Sequence, residues 1–263
     1  MFSSGRTDIG LRRKVNQDTF AGETFAPDAS LFVVCDGMGG VLGGAEASRR
    51  ACAAFCDVMR GALPEIFAAA ESVCSDAAAI AARRDRLCAN AADLLLEAAD
   101  AANRAVYEAA MADESLKGMG PTLVALFVWG DYACGVNVGD SRLYAITDNA
   151  IRQLSHDHSY VQYLIDLGKL TPEEARTSTN RNIITRAVGT APALEADIIP
   201  VDAGLVGRAT FLLCSDGLTN MVTDAEIAAV VHESRSLDAA VNTLVDKANR
   251  AGGTDNITVI LCK

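Results

Sequence analysis

The stretch Thr122-Leu-Val-Ala-Leu-Phe-Val-Trp129, then Gly130-Asp131, Tyr132-Ala-Cys-Gly-Val-Asn-Val138, Gly139-Asp140-Ser141 and Arg142-Leu-Tyr-Ala-Ile-Thr147 decides the fold. Three apolar or alternating runs of strand length follow one another across gaps of two or three residues. Connections that short join antiparallel neighbours, because a parallel pair needs a crossover of about a dozen residues. Outward from this block, Ile151 to Leu154, Leu194 to Val201, Ala209 to Cys214 and Ile257 to Cys262 continue the strand signals on the C-terminal side, and Asp18 to Phe25 and Ser30 to Cys35 precede it. Between the two groups, Gly44 to Ala112 is rich in Ala, Leu and Glu and poor in β-branched residues, which predicts two or three helices, one of them opened by Pro64. A second helical pair is announced by Thr223 with Glu226 as a capping box, then by Ser236 to Arg250 ended at Gly252 and Gly253. Strand runs segregated from helix runs imply an α+β fold, with sheet layers covered by helices.

The 263 residues form one domain with no Pro/Ser/Gly-rich linker to divide them. With 23 basic against 34 acidic side chains the net charge is −11, and such a field repels a polyanion, so nucleic acid is excluded as a partner. The apolar runs are strand-sized, far short of the roughly 20 residues a bilayer span needs. No apolar leader follows Met1. The expectation is a soluble, cytoplasmic protein acting as a monomer. Of the eight cysteines, Cys35, Cys134, Cys214 and Cys262 fall inside apolar strands and read as buried reduced thiols. Zinc is not supported: the chain has no Cys-x-x-Cys pair, and His156, His158 and His232 supply only an H-x-H.

The chemistry is written at strand ends. Leu31-Phe-Val-Val-Cys-Asp36-Gly37, Phe211-Leu-Leu-Cys-Ser-Asp216-Gly217 and Gly252-Gly-Thr-Asp255-Asn256 each place an aspartate where an apolar run starts or stops. A carboxylate there is poorly solvated and needs a compensating cation. One Asp-Gly is only a turn signal; three beside apolar runs favour a hard divalent ion such as Mg²⁺ or Mn²⁺. The glycine run from Gly37 to Gly44 fails the dinucleotide spacing, since its sixth position is Leu42, and no G-K-[ST] or G-x-S-x-G occurs. These glycines are expected to let the backbone approach a metal, with the Gly37 carbonyl in reach of it.

Six ordered motifs, Arg13-Lys-Val-Asn16-Gln-Asp18, Asp36-Gly37-Met-Gly-Gly, Gly118-Met-Gly-Pro-Thr-Leu, Asn137-Val-Gly139-Asp140-Ser141-Arg142, Ser215-Asp216-Gly217-Leu and Gly253-Thr-Asp255-Asn256-Ile-Thr-Val, closely resemble the metal-dependent protein phosphatases of the type 2C family. The bacterial serine/threonine phosphatase branch is nearest, because Met38 rather than His follows the first Asp-Gly. The resemblance runs from about Gly5 to Leu261. Gln17, Val41, the order Ala45-Glu46, Pro121 and Ser178-Thr179 depart from the common pattern without removing an expected ligand.

The resemblance implies a β-sandwich of two antiparallel sheets flanked by helix pairs, in four layers α-β-β-α. A small helical flap over about 155–190 would influence substrate choice, and an Ala-rich insertion over about 62–90 would lengthen a helix hairpin. It implies two catalytic Mn²⁺ or Mg²⁺ ions bridged by Asp36, with the Gly37 carbonyl on one of them and Asp216 and Asp255 completing a shell. Asp140 would serve a third, weaker ion that shares Asp216, and Asp18 would stand near the second. Arg13 would grip the substrate phosphate, for which a planar bidentate fork is suited. His158, Arg181 and Arg186 of the flap would face substrate, the alternative for Arg181 and Arg186 being a merely solvated or structural role. The implied activity is hydrolysis of phosphoserine and phosphothreonine on proteins by direct attack of a metal-bridging water, opposing a bacterial Ser/Thr kinase. The alternative is a slow or inactive phosphoprotein-binding scaffold of the same fold, whose signature would be degenerate metal positions.

Overall fold

Side-chain alternation along the strands sorts the core into three layers. In the strand Ala29–Met38 (β3), Leu31, Val33 and Cys35 pack on one side and Phe32 and Val34 on the other. The same division holds in Leu123–Trp129 (β5), where Leu123, Ala125 and Phe127 oppose Val124, Leu126 and Val128. In Thr210–Cys214 (β10) and Ile257–Cys262 (β11), Leu212, Cys214, Val259 and Leu261 face away from Phe211, Leu213, Ile260 and Cys262. A strand covered on both faces reads as an unbroken apolar run, which is why these segments lack the alternating polarity of a half-exposed sheet.

The computed structural model describes residues 1–71 and 77–263, apart from the side chains at 41–42 and 68–89. One antiparallel sheet runs in the order β1 (Ser3–Asp8), β11, β10, β7 (Arg142–Thr147), β8 (Ala150–Gln153). The other runs β2 (Asp18–Ala26), β3, β5, β6 (Tyr132–Val138), β9 (Asp197–Pro200), with the two-residue β4 (Gly120–Pro121) on the end of β3. The sheets pack face to face through Phe32, Val34, Leu126, Phe211, Leu213 and Ile260. Helices α1 (Gly40–Glu71) and α2 (Ala77–Ala112) cover the second sheet. The short α5 (Asp216–Thr219) with α6 (Asp224–Glu233) and α7 (Leu237–Arg250) covers the first. Between β8 and β9 lie α3 (Tyr160–Asp166) and α4 (Pro172–Thr177), the latter closed by a capping box of Thr171 and Glu174. The four-layer α+β sandwich expected from the sequence is therefore present.

Two details differ from the expectations. Pro64 does not open a helix; it lies inside α1. Its missing N–H frees the carbonyl of residue 60, but Pro64 is on the exposed face while Met59 and Leu63 are fully buried, so water can take the freed carbonyl and packing holds the helix. Strand β1, SSGRTD, carries no apolar signal; it forms by pairing along its whole length with β11. Of the Ala-rich stretch Ala68 to Ala82, the side chains and residues 72–76 fall outside the described residues. The capping box at Thr223 and Glu226 and the α7 end at Arg250 are where the sequence puts them. The six cysteines that can be described are buried.

Candidate active site

Period-two alternation also aims the key carboxylates. Asp36 continues the inward row of Phe32 and Val34 on β3, and Asp18 is its register partner across β2. Both therefore point into the seam between the sheets, at the end where β10 runs out into Asp216 and β11 begins after Asp255. Gly139 completes the set. Its φ of +104° suits glycine, and this turn at the end of β6 delivers Asp140 to the same end. Asp36, Gly37, Asp140, Asp216 and Asp255 line one cavity of about 560 Å³ with Arg12, Arg13, Lys14, Gln17, Met38 and Thr122; Asn182 and Ile184 border it too.

Asp18 lies behind this wall and is held by a directed relay. The Asn16 amide donates to Thr7 Oγ1 (2.8 Å), so Thr7 is left to donate to Thr258 Oγ1 (2.8 Å), and Thr258 donates to Asp18 Oδ2 (2.6 Å). Ser215 Oγ donates to the same oxygen at 2.8 Å and accepts from the Thr258 N–H at 3.0 Å. Ser215 occupies the N-cap of α5, yet its hydroxyl makes no cap bond because Asp18 takes it. Asp18 Oδ1 is buried with no hydrogen-bond partner.

The loop carrying Arg13 is pinned by one amide. Asn256 donates from Nδ2 to the carbonyls of Ile9 and Val15 and accepts the Gln17 N–H at Oδ1, all within 3.1 Å. Arg13 then meets Asp255 at 2.5 Å, and this bond raises its pKa. Gly37 and Gly217 are glycines for packing. A Cβ on Gly37 would sit 2.0 Å from the Gly44 carbonyl oxygen, and one on Gly217 1.9 Å from that of Asn256. At Gly37 the closeness of α1 to β3 is a reason for glycine in addition to the expected approach of the backbone to a metal.

Burial raises the carboxylates. Asp18 and Asp216 are each lifted to about 6, Asp18 against the opposing hydroxyl bonds from Thr258 and Ser215, Asp216 with the added charge of Asp255. Asp36 is raised well above the usual range by burial and then by Asp18, Asp216, Asp140 and Asp255, and Asp140 by burial and then by Asp216. Among the described residues, Arg13 is the only cation with an ion pair to one of these five carboxylates. Crowded carboxylates of this kind call for protons or for a multivalent cation. The donor set is all oxygen, with no thiol or imidazole on the cavity wall, and Asp18 Oδ1 is an unused acceptor. These residues fit hard divalent ions. Among the described residues no three acidic, thiol or imidazole side chains already close into a cage.

The three flap residues are not brought to the cavity. His158 is buried; its Nδ1 accepts the Gly139 N–H (3.1 Å), so the proton is on Nε2 and goes to Asp197 Oδ2 (3.0 Å). Arg186 pairs with Asp197 and Glu195. Arg181 is partly buried, with its Nε unpartnered. His158 and Arg186 fasten the 155–190 segment to β9, because a carboxylate on that edge strand is within reach. The segment offers Asn182 and Ile184 to the cavity instead. Sequence reasoning gave no role to these two, nor to Thr258, Ser215, Asn256 or Thr122. Thr258, a lone hydroxyl inside Ile257-Thr258-Val259-Ile260, was the available signal.

The protein phosphatase 2C family profile matches residues 11–253. The serine/threonine phosphatase stp of Listeria welshimeri is 33% identical over 261 residues, covering 99% of this chain and 95% of that protein. The crystal structure of the serine/threonine phosphatase Stp1 from Staphylococcus aureus superposes with a TM-score of 0.82 at 30% identity, over 98% of this chain and 93% of the other. The catalytic domain of the serine/threonine protein phosphatase PstP, crystallised with two manganese ions, gives 0.74 at 29% identity, over 99% and 96%. Among the described residues no helix is long and apolar enough to cross a membrane. The chain belongs to the protein phosphatase 2C family of metal-dependent enzymes and is a serine/threonine phosphoprotein phosphatase.

Proposed function

We propose that the cavity between the sheet ends is the phosphatase centre, with Asp36, the Gly37 carbonyl, Asp216 and Asp255 holding two divalent ions, Mn²⁺ or Mg²⁺. Asp140 with Asp216 serves a third, weaker ion, and Asp18 supports the second from behind. The observation that carries the reading is the set of five carboxylates, four of them raised by burial and mutual charge, around a wall that also bears Arg13. Divalent ions bound there supply Lewis-acid polarisation of water and of the phosphoryl group.

The chain's own residues do the rest. Arg13, paired with Asp255 here, would be freed were that carboxylate to hold an ion, and its planar fork suits two phosphoryl oxygens. Asn256 keeps the Arg13 loop seated so that this fork arrives in one orientation. Asn182 and Ile184, from the flap over 155–190, border the substrate side of the same single catalytic domain. Buried Cys214 and Cys262, with pKa values pushed up by burial, take no part as nucleophiles. The substrates are phosphoserine and phosphothreonine proteins phosphorylated by a bacterial Ser/Thr kinase in the cytoplasm.

The test is hydrolysis of a phosphothreonine peptide. Activity should require Mn²⁺ or Mg²⁺, stop with chelator, and fall at least about a hundredfold in Asp36→Asn, since removing the charge of a shared ligand weakens ion binding. Unchanged turnover in Asp36→Asn would refute the assignment.

A further inference from the structure

Arg12, Arg13 and Lys14 are consecutive, and all three border the cavity of an otherwise acidic chain. Arg13 is committed to Asp255. Arg12 and Lys14 are exposed, and neither forms an ion pair among the described residues. Across the cavity Asn182 and Ile184 are uncharged, and the carboxylates on its wall are the ones assigned to the ions. Two unpaired cations thus stand one residue before and one after the arginine assigned to the phosphoryl group. If Arg13 holds the phosphoryl group, the substrate residues that flank it pass the part of the cavity rim that Arg12 and Lys14 border.

We propose that Arg12 and Lys14 select substrates bearing a second negative charge within one or two residues of the phosphoserine or phosphothreonine. The inference rests on the phosphatase reading of this cavity and names the substrate class within it. The shared chemistry is an anionic group, supplied by an aspartate or glutamate or by a second phosphorylated residue. Arg12 suits either by a bidentate fork and Lys14 as a point charge. Both cations sit at the solvent edge, so the selection is moderate and sensitive to salt.

The experiment compares kcat/KM, with Mn²⁺, on four substrates: p-nitrophenyl phosphate, a phosphothreonine peptide with alanine flanks, the same peptide with aspartate flanks, and one with a second phosphothreonine two residues away. The expected preference for anionic over alanine flanks is about three- to tenfold at low salt, shrinking toward one at about 0.5 M NaCl. A gain with both anionic peptides supports selection for charge in general; a gain with the doubly phosphorylated peptide alone supports selection for a second phosphoryl group. Arg12→Ala/Lys14→Ala should bring the ratio near one, and Arg12→Glu/Lys14→Glu should reverse it. A wild-type ratio within twofold of one, or a ratio that survives both double variants, overturns the inference. Failure on p-nitrophenyl phosphate and on the alanine-flanked peptide would instead bring down the phosphatase assignment of the cavity, and this inference with it.

Discussion

Replacing Thr258 by valine keeps the shape of a fully buried side chain and deletes one hydroxyl. That hydroxyl is the last link between Asn16 and Asp18, at 2.6 Å from Asp18 Oδ2. Without it Asp18 keeps only the Ser215 bond, and Thr7 loses its acceptor. Loss of one bond to a buried carboxylate costs about 1.5–3 kcal/mol, and the stranded Thr7 hydroxyl, only part-buried, adds less than about 1 kcal/mol. The expected loss of stability for metal-free Thr258→Val at pH 8 is therefore about 2–3 kcal/mol, read from urea unfolding with an unchanged m-value. Calorimetric titration with Mn²⁺ gives the second readout: a misaligned Asp18 should weaken one ion by about ten- to a hundredfold. Thr258→Ser separates the hydroxyl from the methyl. It should lose about 1 kcal/mol of packing and retain Mn²⁺ affinity. If Thr258→Val bound Mn²⁺ as tightly as wild type, or if Thr258→Ser were equally impaired, the relay would not be what positions Asp18.

Three further outcomes follow from the same geometry. Asn256→Ala should cost about 2–4 kcal/mol, because it strands the carbonyls of Ile9 and Val15 and the Gln17 N–H, and it should raise KM for phosphopeptides in steady-state kinetics by loosening the Arg13 loop. Gly217→Ala puts a Cβ 1.9 Å from a backbone oxygen and should cost more than about 3 kcal/mol or fail to fold, as thermal melts would report. Glu226 is held down to about 2 by the Thr223 N–H first, then by Lys247 and the Thr223 hydroxyl. Its contribution is present above the ordinary 4.5 and fades as pH falls toward 2. Glu226→Gln keeps the capping box and loses the Lys247 pair at 3.0 Å, so it should cost about 0.3–1 kcal/mol at pH 7, with the difference shrinking below pH 4.5 and vanishing only near pH 2 in paired melts.

The layers were legible because burial on both faces leaves a local mark. Leu123 to Trp129 and Phe211 to Cys214 read as central strands, and the gap Gly130-Asp131 joins antiparallel neighbours as expected, whereas the equally short gap Gly139 to Ser141 carries the chain from one sheet to the other, so β6 and β7 do not pair. Asp36, Asp216 and Asp255 were likewise readable, since a carboxylate at the end of an apolar strand needs a cation wherever the strand is placed. Strand β1 left no mark, because its stability comes from β11, more than two hundred residues away. Pro64 misled because local geometry argues for a helix start, while the buried Met59 and Leu63 carry the helix past it.

The sequence by itself determined the fold class, the acid-rich strand ends and the family to which they belong. Only the tertiary structure decided how those groups are aimed. His158 and Arg186 looked available to substrate and are instead tied to Asp197 on β9. Ser215 sits at a helix N-cap yet supports Asp18, 197 residues earlier in the chain. Arg12 and Lys14, with no role legible in the sequence, border the cavity. Composition and spacing report which groups a segment carries and which face of its own element they occupy. The partner of a polar group is set by chain closure over the whole sandwich, and no local pattern encodes that distance.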